Sequence, residues 1–119
     1  MSASRLISYP AHGAVEFVLG VALMALPFLL GAQPAGIVVG VGLGATVCAI
    51  ALTSIGADGR TPGAVAVSAH QAYDQGIALG GVGAALVLAL AGQATTAVGI
   101  LAVAAALFML SLVTRYSAR

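Results

Sequence analysis

The chain has 119 residues, of which 61% are hydrophobic and only 6% are charged, and its net charge is +1. Soluble domains carry about a quarter charged residues, so this composition excludes an ordinary water-soluble fold and predicts a single membrane domain over residues 1–119. The small net charge and the lack of a basic cluster also argue against a nucleic-acid-binding protein.

Four apolar segments follow one another along the chain, and each is long enough to cross a bilayer as a helix. A short break follows the first and the third segment, whereas the middle break, at residues 56–63, is longer and polar. Long runs rich in Ala and Leu favour helix over strand, and lipid requires each span to satisfy its own backbone. The segments cover approximately residues 10–31, 34–54, 68–92 and 94–114.

A pair of polar residues is repeated at the starts of the first and third spans. His12 and Glu16 recur 58 residues later as His70 and Asp74. The short breaks after the first and third spans each predict an antiparallel helical hairpin. Each unit has two spans, so the units share one orientation and a pseudo-two-fold axis along the membrane normal. The predicted fold is an all-α integral membrane protein of four transmembrane helices in two tandem hairpin repeats. The repeats cover about 8–55 and 66–116.

The arginines predict the orientation in the membrane. With four spans, all of them lie on one side: before the first span, between the second and third, and after the fourth. Neither short break carries a charge, so the positive-inside rule places both termini and the middle loop in the cytoplasm. The residues are Arg5, Arg60, Arg115 and Arg119.

The first unit carries a short pattern that resembles a known family. His12, Glu16 and Gly20 stand four residues apart, and Leu-Pro-Phe-Leu-Leu-Gly follows at residues 26–31. This is similar to the SPW-repeat type of small bacterial membrane protein, in which a Ser-Pro-Trp-like element ending in Gly follows a His, an acid and a Gly. The chain departs from the pattern, since it has no Trp and its second unit has no matching Pro. The resemblance implies two fused units in the bacterial cytoplasmic membrane. It does not indicate an activity.

The two His-acid pairs have three interpretations. Residues four apart share a helix face, so each His stacks against its acid, and the pairs meet if the two halves pack together. In the first interpretation they form a polar clasp, because an acid at a membrane edge is costly and a neighbouring His offsets part of that cost. The chain would then be a structural or accessory protein that packs with itself or with a larger membrane complex.

The second interpretation is a cofactor site. Two histidines and two carboxylates, His12, Glu16, His70 and Asp74, suit zinc, iron or manganese, and the histidines alone suit a haem-like tetrapyrrole. The third is movement of a small solute or ion, since intramembrane acids often mark ion paths. The sequence has no nucleotide-binding loop and no nucleophile motif. We therefore expect no catalytic residue and no cofactor-binding residue besides the four named above. An enzyme would be possible only if its active site were a metal site embedded in the membrane.

Small residues recur every four positions in the second and third spans. In lipid such rows let helices approach closely, with van der Waals contact as the attraction. We expect the rows to pack inside the chain; the alternative is a seam for self-association or for a larger membrane complex. The helix-packing candidates are Gly36, Gly40, Gly44, Gly76 and Gly80.

Overall fold

The computed structural model describes residues 6–54 and 66–116, which form four α-helices. Each helix has 19 to 24 residues and is apolar enough to cross a membrane, which confirms the prediction of an all-α chain with four span-length helices. The predicted middle loop at 56–63 lies outside the described residues, as do three of the four arginines. The helices are α1 (Tyr9–Leu29), α2 (Pro34–Leu52), α3 (Val67–Leu90) and α4 (Ala94–Val113).

Two tight turns of the same kind join α1 to α2 and α3 to α4. Gly31 and Gly92 occupy the left-handed region, with φ of 64° and 86°, where a side chain would be strained. The next amide donates to the carbonyl five residues back, which is the Schellman arrangement that satisfies the last turn of a helix. Both turns agree with the predicted helical hairpins. The bonds run from Ala32 N to Pro27 O at 2.8 Å and from Gln93 N to Leu88 O at 2.9 Å.

The helices form a bundle in which α1 and α3 stand diagonally opposite each other. Both helices pack against α2 and α4, whereas the backbones of α1 and α3 do not come into contact. The centre of the bundle is apolar, with Leu23, Val47 and Ile100 at most 2% exposed. Side chains of α1 and α3 can therefore meet only across the bundle axis, and only if they are long.

The glycine row of α2 packs against α1. A Cβ at Gly44 would lie 2.5 Å from the Gly20 carbonyl oxygen, and a Cβ at Gly40 would lie 2.8 Å from the Pro27 ring. Gly36, at the start of the same row, is buried against the other hairpin instead, since a Cβ there would lie 2.8 Å from Gln93 Oε1. Because no side chain separates the backbones of α1 and α2, the helices approach closely and gain the dispersion attraction that holds helices together in lipid.

The glycine row of α3 lies on the outer surface instead. Gly76 and Gly80 are exposed, and a Cβ at either position would meet no atom within 4 Å. The expectation that this row packs inside the chain is therefore wrong, because α3 turns another face inward. The buried face consists of His70, Asp74, Ala78, Gly81, Ala85 and Leu88.

The surface of the bundle is apolar where a soluble protein would be polar. Leu29, Val38 and Leu90 are 71–89% exposed, whereas the side chains of the two His-acid pairs are buried. Water disfavours large exposed apolar surfaces on a monomer, and lipid favours them. The four helices are thus suited to a multi-pass membrane protein in both length and surface.

Gly40→Leu is expected to destabilise the protein by about 1–3 kcal/mol, the usual cost of overpacking, because the new side chain would overlap the Pro27 ring and the Leu23 carbonyl. Thermal denaturation in detergent measures the change. Gly42→Leu is the matched control, since Gly42 lies on the same helix and a Cβ added there would meet no atom within 4 Å. Equal losses in the two variants would contradict the packing described above.

Candidate metal centre

The two histidines and two acids meet at one end of the bundle. His12 and Glu16 lie in the first two turns of α1, and His70 and Asp74 lie at the corresponding positions of α3. Each residue offers one ligand atom, and the four atoms lie within 4.8 Å of one another. All four residues are at most 4% exposed. The structure therefore brings together the four residues that the sequence pattern singled out.

The imidazoles of His12 and His70 and the carboxylates of Glu16 and Asp74 alternate around a closed cycle of four contacts, which is called the ring below. His12 Nε2 lies 3.4 Å from Glu16 Oε1 and 2.8 Å from Asp74 Oδ2. His70 Nε2 lies 3.1 Å from Glu16 Oε1 and 3.2 Å from Asp74 Oδ1. Each Nε2 atom thus faces one carboxylate of its own helix and one carboxylate of the diagonally opposite helix. Two of the four contacts connect the two hairpins.

Two threonine hydroxyls hold the outer nitrogens of the imidazoles. His12 Nδ1 lies 2.7 Å from Thr114 Oγ1, and His70 Nδ1 lies 2.8 Å from Thr53 Oγ1. Each hydroxyl donates its one proton to a backbone carbonyl one helical turn earlier. The hydroxyl can then only accept from the imidazole, so both Nδ1 atoms carry a proton. Both Nε2 atoms consequently face the ring.

The sequence pattern did not point to either threonine. Thr53 follows α2 and Thr114 follows α4, and each bonds to the histidine of the other hairpin. The signal was their separation of 61 residues, which is close to the offset of the two His-acid pairs. A search for polar residues that recur near that offset would have found them.

Two tyrosines cover the ring at the end of the bundle. Tyr116 Oη donates to Asp74 Oδ2 at 2.7 Å, and the Tyr9 ring lies edge-on to His70 with 5.2 Å between centroids. A parallel backbone bridge between Ile7 and Thr114 holds the two tyrosine-bearing segments side by side. Burial and the neighbouring Asp74 carboxylate raise the pKa of Tyr116, so the phenol keeps the proton that it donates.

Two atoms of the ring lack an aligned hydrogen bond. His12 Nε2 and Asp74 Oδ1 are buried and have no hydrogen-bond partner among the described residues, although an imidazole nitrogen or a carboxylate oxygen of the ring lies within 3.4 Å of each. The 2.8 Å approach of His12 to Asp74 is thus close without hydrogen-bond alignment. Buried polar atoms without partners are costly, so the ring members do not fully satisfy one another.

The geometry does not suit a tetrapyrrole between the two histidines. A macrocycle held by two axial histidines needs an open plane between the ligating nitrogens. Here the Glu16 and Asp74 carboxylates occupy that space, 2.8–3.4 Å from the nitrogens. The arrangement therefore leaves no room for a macrocycle between these two histidines.

The gap that lies beyond the ring, between the helices of the described residues, does not form a path for a solute. This gap, near the middle of the bundle, is too narrow to admit a water molecule, and only apolar residues and glycine line it. Movement of an ion along the bundle axis is therefore unsupported within residues 6–54 and 66–116. The lining residues are Leu23, Leu43, Ile77, Gly81, Ile100, Ala104 and Leu107.

No family model, curated protein or solved structure matches this chain. Membership of the SPW-repeat type therefore stays a prediction from the short motifs around His12 and Glu16. The chemistry of the ring accordingly follows from its own distances, burial and hydrogen bonds.

Glu16→Ala is expected to lower the free energy of unfolding by about 3–5 kcal/mol, as for other buried ion pairs that lose one partner, because both imidazoles lose the carboxylate that they share. Chemical or thermal denaturation in detergent measures the loss. Val15→Ala, at the adjacent and 43% exposed position of α1, is the control and should have a much smaller effect. A loss for Glu16→Ala no larger than the control's would show that the ring contributes little to stability.

Proposed function

We propose that this chain is a small multi-pass membrane protein that binds one divalent metal cation between its two helical hairpins. The observation that carries the proposal is the closed ring of two inward-facing Nε2 atoms and two carboxylates. Imidazole and carboxylate groups are established ligands of divalent transition metals. A cation of charge +2 would also neutralise the two buried carboxylates, which are costly in a medium of low dielectric constant.

The polar clasp is the competing interpretation of the same contacts. In a clasp without metal, both Nε2 atoms would donate to carboxylates and every member of the ring would have an aligned partner, as fully satisfied buried networks do. One such bond is present, between His70 Nε2 and Glu16 Oε1 at 3.1 Å. His12 Nε2 and Asp74 Oδ1 have no hydrogen-bond partner among the described residues, and they favour the metal, because a central cation would be a partner for both atoms. The metal interpretation retains the clasp's structural role, since the same four residues connect the hairpins.

The orientation and the origin of the fold belong to the same proposal. Arg115, beyond the end of α4, shares the end of the bundle that holds the ring, and the two turns at the other end carry no charge. The positive-inside rule therefore supports cytoplasmic termini, in a bacterial inner membrane. Matching turns at Gly31 and Gly92 support two duplicated hairpins about a pseudo-two-fold axis along the membrane normal.

Purified protein equilibrated with Zn²⁺ and freed of loosely bound ions is expected to retain one ion per chain, measured by elemental analysis. His70→Ala should lose the ion, because one of the two nitrogen ligands is removed. Cys48→Ala is the control: it removes a metal-binding type of side chain that lies outside the ring, in α2, and should keep the ion. Far less than one ion in the unaltered protein, or equal retention by His70→Ala, would overturn the proposal.

A second candidate function is assembly with copies of itself or with a larger membrane complex. The exposed glycines of α3 favour it: Gly76, Gly80 and Gly83 all face outward with no atom within 4 Å of a Cβ. In lipid, an outward row of small residues allows another helix to approach closely.

Gly80→Leu is expected to reduce self-association, because the new side chain would separate the paired helices. Cross-linking in lipid vesicles and the oligomer mass in detergent measure the effect. Gly42→Leu, at an exposed glycine of α2, is the control and should leave the assembly unchanged. A monomer in the unaltered protein under both conditions would exclude a homo-oligomer that uses this face.

A further inference from the structure

The ring also indicates which class of cation it takes. We infer that it holds a late first-row divalent ion of the zinc class in a closed, four-coordinate centre; this inference rests on the proposed metal function. Two threonines act as positioning residues that orient the imidazoles. The ligand atoms are His12 Nε2, His70 Nε2 and one oxygen each from Glu16 and Asp74, and the positioning residues are Thr53 and Thr114.

Three nitrogen-oxygen spacings of the ring are close to those of a tetrahedral site. In a zinc site with ligand bonds of roughly 2.0–2.2 Å, neighbouring ligand atoms lie about 3.4 Å apart. The pairs that involve Glu16 Oε1 or Asp74 Oδ1 lie 3.1, 3.2 and 3.4 Å apart, within about 0.3 Å of that spacing. The fourth pair, at 2.8 Å, joins His12 Nε2 to the other Asp74 oxygen, Oδ2.

The donor set selects among cations. Calcium takes about six to eight oxygen ligands and magnesium demands octahedral oxygen coordination, whereas the ring supplies two carboxylates and two imidazole nitrogens. Imidazole suits zinc, copper, iron and nickel. Mixed nitrogen and oxygen ligands therefore favour the zinc class over the alkaline-earth cations.

The surrounding hydrogen bonds match those of a metal-bound histidine. Such a histidine donates its other ring N–H to a fixed acceptor, which sets both the tautomer and the ring orientation. Here both Nδ1–H groups donate to threonine hydroxyls, whose own protons are directed to backbone carbonyls. Tyr116 occupies Asp74 Oδ2 and leaves Oδ1, which has no hydrogen bond, to face the centre of the ring.

The centre is closed, which indicates a structural rather than a catalytic metal. Structural zinc sites use four protein ligands, while catalytic sites keep one position for water or substrate. All four ligand residues are at most 4% exposed, with the tyrosine rings on the outer side. Two ligands belong to α1 and two to α3, so the ion would connect two helices whose backbones do not come into contact.

Cobalt substitution tests the coordination number. Protein loaded with Co²⁺ alone, in detergent, is expected to show the strong visible absorption of four-coordinate cobalt. The weak absorption of six-coordinate cobalt would overturn the closed centre while leaving metal binding intact. Failure of the unaltered protein to bind either Co²⁺ or Zn²⁺ would instead overturn the proposed function itself.

Threonine variants test the positioning residues. Thr114→Val and Thr53→Val should each weaken Zn²⁺ affinity about 10- to 100-fold, the usual effect of losing a partner of a metal-bound histidine, and Thr114→Ser should restore it. Thr46→Val is the matched control, because Thr46 also donates to a carbonyl one turn earlier but is exposed and has no hydrogen bond to a histidine. Unchanged affinity in both valine variants, or equal loss in Thr46→Val, would overturn the positioning role.

Discussion

Two carboxylates have to be neutralised inside a bundle of apolar helices. The arrangement of all the residues at that end of the bundle follows from this constraint. Neither Glu16 nor Asp74 has a lysine or arginine near it among the described residues. Their partners are the two imidazoles, one from each diagonal helix. The threonines fix the imidazoles and the tyrosines cover them, so each outer contact serves the same purpose of keeping the inner four groups in place.

Close packing of α1 against α2 accompanies this ring. The glycines of α2 let α1 approach until backbone nearly meets backbone, which keeps the bundle narrow. The diagonal distance between α1 and α3 is then short enough for His and Glu side chains to span. The apolar end and the polar end therefore depend on each other, since bulkier residues in the glycine row would move the ring members apart.

The position of the ring decides among the functions that the residues suggested. All acidic side chains and histidines of the helices that the structure describes lie at one end, and the gap found near the middle of the bundle is apolar and too narrow for water. Such a bundle has a buried polar cluster with no polar path behind it among the described residues. This arrangement supports the proposed ion site over transport of a solute.

The sequence by itself determined the four helices, their two tight turns and the pairing of each His with an acid on one helix face, because hydropathy, glycine and a spacing of four residues act locally. Only the tertiary structure decided which face of α3 is buried, and that Thr53 and Thr114 bond to the histidines of the opposite hairpins. From residue 76 to residue 90, α3 is apolar on all sides, so composition there does not distinguish the inner face from the outer one, and Gly76 and Gly80 resembled core residues. Continuing the face marked by His70 and Asp74 leads to Ala78 and Gly81, which are buried. The polar residues, rather than the glycines, carried the information about helix rotation.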